Sequence, residues 1–507
     1  MSNHRSPRST ARAWFLRFLA AFTTGLLLLA AVLLTRVSLL KSHQLNPLPA
    51  APGLLRPTAA RPELIARLAG SLRIPTITRE LATAADSAAF DQLHAYLRRS
   101  FPRVHQRLSP EVVDRFNLLF TWPGTNPELP PLVLLAHQDV VPVEAGTEAD
   151  WIRAPFAGDT ADGFLYGRGA LDDKLNLLGQ LEAAEQLLAQ GYRPPRTVIF
   201  AYGYDEERGG SSQGGAAKLA AVLARRYPRG LGMVLDEGGI VKAEGLAGIQ
   251  RPIALVGISE KGYLSLTLRA HGKGGHSSMP DARTALGRVA AAVARLEQQP
   301  FPARLDGGAG QLLDWLAPEA SFTTQLAMSN RFLFGGVLLR QLQQTPAGMA
   351  AVRTTMVATI LRAGEKENVV PTTAEAVLNL RLLPGDSPAA VVARVRAVIA
   401  DPAVSVTLRG DARPASPVSS VQSLGFHALQ QTIQQVFPTA LVAPYVVVGA
   451  TDARHYAPLC PDATYRFVPV LLPAQELSGM HGTNERLEMA AYPQVVRFYT
   501  TLLQASW

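Results

Sequence analysis

The sequence has a single cysteine, Cys460, among 507 residues. An intrachain disulfide is therefore impossible and cysteine-based zinc fingers are excluded, so any metal site must be built from histidine and carboxylates. Blocks of Lys and Arg interleaved with aromatics are missing as well. The net charge of +9 comes mostly from scattered arginines, and such a distribution argues against a nucleic-acid partner. There are no repeats and no low-complexity tracts. At 48% hydrophobic and 18% charged residues the composition is that of a globular protein. The length exceeds one typical core, so two or more domains are expected.

Long uncharged apolar runs are also lacking, with one exception. "FLAAFTTGLLLLAAVLLT", from Phe18 to Thr35, carries no charge; roughly 20 apolar residues suffice to cross a bilayer. Arg5, Arg8, Arg12 and Arg17 precede or border it, while Arg36 and Lys41 follow. The excess of positive charge on the N-terminal side predicts a cytoplasmic N-terminus and a main body that is periplasmic, extracellular or lumenal. A cleaved signal peptide would have a shorter apolar core ending at a small-x-small site. "RVSLLKSHQL" offers no such site, so an uncleaved anchor is expected. The expected organisation is a basic N-terminus (1–17), a transmembrane anchor (18–36) and a Pro-rich linker (37–59).

From about residue 60 helix and strand patterns alternate. "PLVLLAH", "RTVIFAYGYDEE" and "LGMVLDEGG" are short apolar runs of the doubly covered kind, separated by helical stretches such as "DDKLNLLGQLEAAEQLLAQG". This predicts an α/β domain with a mostly parallel sheet flanked by helices. After Ser259 the register changes: "GYLSLTLRAHGK" and "AEAVLNLRLLP" alternate residue by residue, as strands with one wet face do. An inserted α+β unit (259–410) is therefore expected between two parts of the catalytic domain, 60–258 and 411–507. Residues 300–355 have no clear place in this scheme.

Polar clusters close the apolar runs: "AHQD" (136–139), "GRGALDDK" (167–174), "YDEERGG" (204–210) and "LDEGG" (235–239), with "SGMHGTNER" (478–486) coming late. The loops after the strand carboxyl ends form the crevice of an open α/β sheet. Carboxylates gathered there repel one another unless a cation lies between them. Histidine and carboxylate ligands without cysteine suit zinc, and also cobalt or manganese. Of the adjacent Glu206 and Glu207, one can bind metal while its neighbour stays free as a base.

In these residues the chain resembles the co-catalytic zinc aminoacylase/carboxypeptidase family, and most of all its Gly-Xaa carboxypeptidase (carboxypeptidase S) and N-fatty-acyl-amino-acid hydrolase branches. The resemblance runs from about residue 60 to the end. It implies that two zinc ions are held by His137, Asp172, Glu207, Asp236 and His481, with Asp172 bridging and the peptide after it often cis. Asp236 is preferred to Glu237, because relatives closest in this motif use the first carboxylate. Asp139 would orient His137, and Glu206 would be the general base. In "GKGGHSSMP" (272–280), His276 would stabilise the oxyanion from the partner subunit of a homodimer formed through the inserted lid domain. Asn368 and Arg381 would hold the substrate's carboxylate, the arginine as a planar fork. "GATDARHY" (449–456) places Thr451, Asp452 and Arg454 near the substrate. His94, His105 and His427 are expected on the surface.

The expected function is a membrane-anchored dizinc hydrolase that cleaves the amide beside a C-terminal amino acid with a free carboxylate, as Gly-Xaa carboxypeptidases do. The rivals are an N-fatty-acyl amino acid hydrolase/synthase and a catalytically dead, metal-stabilised binding protein. The last is disfavoured because no expected ligand and no base is missing.

Overall fold

Three apolar runs become strands buried at every position: Leu132–His137, Val198–Gly203 and Met233–Asp236. The structure, a computed structural model, describes residues 7–45, 61–79, 84–209, 214–246 and 248–507. Arg5, most of the Pro-rich linker and the Gly/Ser-rich turn beyond Gly209 lie outside the described residues.

Strands covered on both faces read as continuous apolar sequence, and these three pair in parallel at the centre of the main sheet. Thr464–Arg466 adds in parallel beside Met233–Asp236. The sheet continues antiparallel through Asn117–Trp122 on one side and Ile253–Glu260 on the other, with Leu441–Val447 parallel to the latter. It is thus a mixed sheet with a parallel centre, and the class is α/β. The helix Lys174–Ala189 is buried along most of its length, packed on Leu132–His137 and on the final helix Tyr492–Gln504. Because the central strands run the same way, their carboxyl ends, and the polar clusters that follow them, share one edge.

A second sheet is wholly antiparallel. Its order is Thr355–Ala363, Thr373–Leu382, Gly262–His271 and Val404–Leu408. Helices Ala285–Gln298 and Pro388–Ile399 cover one face, giving this unit its own core around Leu264, Leu266, Leu268, Leu378 and Leu380.

Two features here escaped the sequence reading. The edge strand Thr355–Ala363 shifts register between Ala358 and Ile360, and such a bulge breaks the period-2 pattern by which strands are recognised. Residues 307–352 are helical: Gly307–Leu316, Phe322–Ser329, Arg331–Leu342 and Pro346–Val352. Gly307–Gly308, Gly335–Gly336 and Pro346 read as breakers in the sequence.

The returning segment is locked to the first half by a buried ion pair. Arg466 Nε donates to Glu260 Oε2 at 3.0 Å, with the side chains 0% and 2% exposed. The same oxygen accepts from Thr451 N and Oγ1, each at 3.1 Å. Removing one partner strands a buried charge, so Glu260→Ala is expected to destabilise the fold by about 3–5 kcal/mol. A chemical-denaturation midpoint measures this, and an unshifted midpoint would show that the pair carries no such stability.

Candidate active site

The strand Leu132–His137 delivers His137 to the shared edge with its side chain 2% exposed. Its Nδ1 lies 3.0 Å from the Asp139 carbonyl oxygen and 3.4 Å from Asp139 Oδ1. With the Nδ1 proton directed there, Nε2 is free to face the site. Nε2 lies 2.9 Å from Asp172 Oδ1. The other oxygen of the same carboxylate, Oδ2, lies 2.9 Å from His481 Nε2. One carboxylate therefore sits between two imidazoles that are more than 300 residues apart in the chain.

Glu206 and Glu207 both approach this group. Potential ligand atoms of His137, Glu206 and Glu237 fall within 4.8 Å of one another, and so do those of His137, Asp172 and Glu207. The two carboxylates of "LDEGG" separate in role. Asp236 accepts from Glu237 N at 2.9 Å and from Ala453 N at 2.7 Å, whereas Glu237 Oε1 comes to 4.0 Å from His137 Nε2. The structure thus brings Glu237 into the ion-sized cluster and ties Asp236 to the backbone.

The supporting groups are buried carboxylates accepting backbone N–H bonds. Asp139 takes Glu206 N at 3.3 Å and Glu207 N at 3.1 Å, fixing the pair of glutamates. Glu485, only four residues after His481, accepts from Gly169 N, Leu171 N and Asp172 N and pairs with Arg168 Nη1 at 2.6 Å. That holds the loop carrying Asp172, in which the Asp172–Asp173 peptide is cis. Gly169 in this loop has φ +91°, and a Cβ there would meet Val140 Cγ1 at 2.8 Å, so only glycine fits. Asp173 Oδ2 accepts from His137 N at 3.1 Å.

Burial and mutual repulsion dominate the electrostatics of this carboxylate-rich cluster. Burial pushes Glu206 well above the ordinary carboxylate range, opposed by His137 and reinforced by Asp452 and Glu207. Burial also raises Glu237, with Asp172 adding to it, and Glu207, against the nearby His481. The Asp172 and Glu207 carboxylates beside its ring push His481 up to about 10. Asp172 is held low despite its burial, by His137 and His481. Glu207 Oε1 is buried 3.2 Å from His481 Nε2 but without hydrogen-bond geometry. A divalent cation among these groups would favour deprotonated carboxylates and neutral imidazoles, and would satisfy the Glu207 oxygen that no donor reaches. The residues fit a metal centre of nitrogen and oxygen ligands.

The sequence profile of peptidase family M20/M25/M40 matches residues 133–505. The chain belongs to this family. Among M20 relatives it is 38% identical to the N-fatty-acyl-amino acid synthase/hydrolase PM20D1 of Xenopus tropicalis, over 96% of this chain and 94% of that protein. It is 30% identical to carboxypeptidase S of Saccharomyces cerevisiae, over 88% and 84%. Of solved M20 structures, the metallo-carboxypeptidase Sso-CP2 from Sulfolobus solfataricus superposes with a TM-score of 0.62 at 19% identity, covering 87% of this chain and 98% of that one. This places the fold with the M20 enzymes, and the chain is an M20 metallopeptidase or amidohydrolase of the carboxypeptidase/aminoacylase type.

Three expected residues lie on the M20 chain's second unit. His276 is exposed on the short strand Gly275–His276, with Nδ1 2.8 Å from Ser278 Oγ. Asn368 sits close by, its carbonyl accepting from Ser277 N at 3.1 Å. Among the described residues no hydrogen bond or ion pair joins His276 to the carboxylate cluster. Arg381 lies 5.0 Å over the Tyr263 ring, and Arg413 lies 5.1 Å over the same ring. Tyr263 and Arg413 line a cleft of about 1000 Å³ together with Arg208, Arg454 and His455.

Other residues were placed differently from the sequence reading or overlooked by it. His94 is half-buried rather than on the surface, its Nε2 2.7 Å from Gln138 Oε1; Gln138 lies between His137 and Asp139 in the chain. His105 is also half-buried, bonded to Phe101 O. Asp452 is buried against Gly203 and pushed up to about 8 by desolvation. Glu485 was overlooked, and the signal for it was a second ionisable residue in the same Gly-flanked cluster as His481.

Proposed function

We propose that this chain is a membrane-anchored, metal-dependent hydrolase that cleaves the amide between an acyl group and an amino acid carrying a free carboxylate. The observation that carries the proposal is the Asp172 carboxylate lying 2.9 Å from each of two Nε2 atoms, those of His137 and His481. This arrangement suits two cations sharing one ligand. In this reading His137, Asp172, Glu207, Glu237 and His481 would hold two divalent ions, zinc or else cobalt or manganese, with Asp236 fixing the loop rather than binding. When bound, such ions polarise a carbonyl and make water nucleophilic near neutral pH.

Glu206, desolvated beside the cluster, accepts a proton from the attacking water and returns it to the leaving amine. Asp139 holds both Glu206 and the His137 ring in position. Arg381 and Asn368 take the substrate's carboxylate. His276, exposed on its own chain, supplies a proton donor for the oxyanion from the partner subunit of a homodimer. The outer strand Thr355–Ala363, with Val357 54% and Leu361 55% exposed, offers the unpaired edge for that contact. The helix over Trp14–Ser38 is long and apolar enough to cross a membrane and serves as the anchor.

Similarity over nearly the whole length to a protein named N-fatty-acyl-amino acid synthase/hydrolase favours an N-acyl amino acid as substrate. Similarity to carboxypeptidase S keeps a small dipeptide as the second reading. The test is a panel run with the purified, zinc-loaded chain. Faster kcat/KM on long-chain N-acyl amino acids than on Gly-Xaa dipeptides is expected. The reverse order selects the dipeptide reading, and inactivity on both removes the proposal.

A further inference from the structure

The helix Arg331–Leu342 is built inside out. Phe332, Leu333, Gly336, Val337 and Arg340 recur on one side of it and all are exposed; Phe332 is 63% and Val337 62% exposed. Its other side is pinned by Leu338, buried with Leu313, Ala317 and Met328. Phe322, which starts the preceding helix Phe322–Ser329, is 57% exposed. An ordinary surface helix buries its apolar stripe and turns charge to water. Here aromatic and aliphatic side chains share the outer face, the composition of a surface that something covers.

Two independent observations identify the cover. The first is position. The apolar N-terminal helix Pro7–Ser38 ends against this same unit. Arg36 Nε donates to Ser329 O at 2.9 Å, and Asn330 Nδ2 donates to Leu33 O at 3.3 Å. The Arg36 guanidinium lies 5.6 Å over the Phe332 ring, and Leu40 packs on the small core beneath. The end of the apolar span and the exposed apolar face are therefore contiguous. The second is charge. Between Glu319 and Glu365 the sequence has no acidic residue, but it has Arg331, Arg340, Arg353 and Arg362. Arg331 is engaged by Asp314 at 2.7 Å, whereas Arg340 stands exposed on the apolar face itself. Apolar side chains flanked by Arg36 and Arg340 match an anionic lipid surface.

We infer that this face of Arg331–Leu342 rests in the headgroup–acyl boundary of the bilayer that holds the N-terminal helix, so that the helical segment 307–352, which packs on the main sheet through Gly307–Leu316, is seated on the membrane rather than suspended above it. The inference rests on the anchor proposed above. Such seating would bring the hydrolase against a phase in which long-chain N-acyl amino acids concentrate.

The test uses the full chain in vesicles of about three parts phosphatidylcholine to one part phosphatidylglycerol, doped with lipid nitroxide-labelled high on the acyl chain. Cys460 is buried, so a cysteine introduced at the surface takes an NBD fluorophore alone. Three labelled variants are compared, Leu28→Cys, Leu333→Cys and Gln106→Cys, each checked for retained hydrolysis as evidence of folding. Emission at 28 and at 333 should fall by about half or more, with little change at 106. Quenching at 28 with none at 333 overturns the seating while keeping the anchor. A blue shift at 333 that grows with protein density and ignores the nitroxide also overturns it, because a second copy then covers the face. No quenching at 28 removes the anchor, and the seating with it.

Discussion

Glu206→Gln should leave the bound metal unchanged and lower turnover by roughly 10²–10⁴-fold, the usual contribution of a positioned general base. The substitution keeps the shape of the side chain and removes only its capacity to take a proton. Glu206 N remains bonded to Asp139 Oδ1 at 3.3 Å, so the loop and its neighbour Glu207 stay in place. Burial already holds the Glu206 carboxyl above its ordinary range, and a neutral amide there adds no new unpaired charge. Turnover and metal content measured on one preparation check the prediction. Normal turnover would remove Glu206 from the mechanism, while loss of metal would reassign it as a ligand.

Asp172→Ala should have the opposite signature, with bound metal falling from the proposed two ions per chain toward none and hydrolysis lost with it. Among the described residues, Asp172 is the carboxylate whose two oxygens lie 2.9 Å from each of the two imidazoles. Its removal takes an oxygen ligand from both halves of the site at once and leaves His137 beside Glu237 and His481 beside Glu207 with nothing between them. Metal analysis after exhaustive dialysis reads the result. Retention of two tightly held ions would mean that Asp172 bridges nothing.

The gathering of these imidazoles and carboxylates was legible in the sequence because the polar clusters fall where strands end. The runs finishing at His137 and Asp236 are buried at every position, so a strand covered on both faces reads as apolar until the polar residues at its end. The choice between Asp236 and Glu237 was not legible. Neighbouring residues at a strand end differ in which way they turn, and Asp236 accepts from the Ala453 and Glu237 N–H groups, the first of them more than 200 residues away. Glu485 was hidden for a related reason: its work is to accept backbone N–H bonds from the Asp172 loop, and backbone donors leave no mark in a sequence. The helices of 307–352 were obscured by their glycines and by apolar residues on both sides of Arg331–Leu342, which erase the one-sided periodicity that marks a surface helix.

The most direct test of the two-cation centre is anomalous scattering from crystals of the zinc-loaded protein, collected at the zinc edge. Two peaks flanking the Asp172 carboxylate, one on the His137 side and one on the His481 side, are the predicted result. A single peak, or zinc found only away from Asp172, would contradict the account.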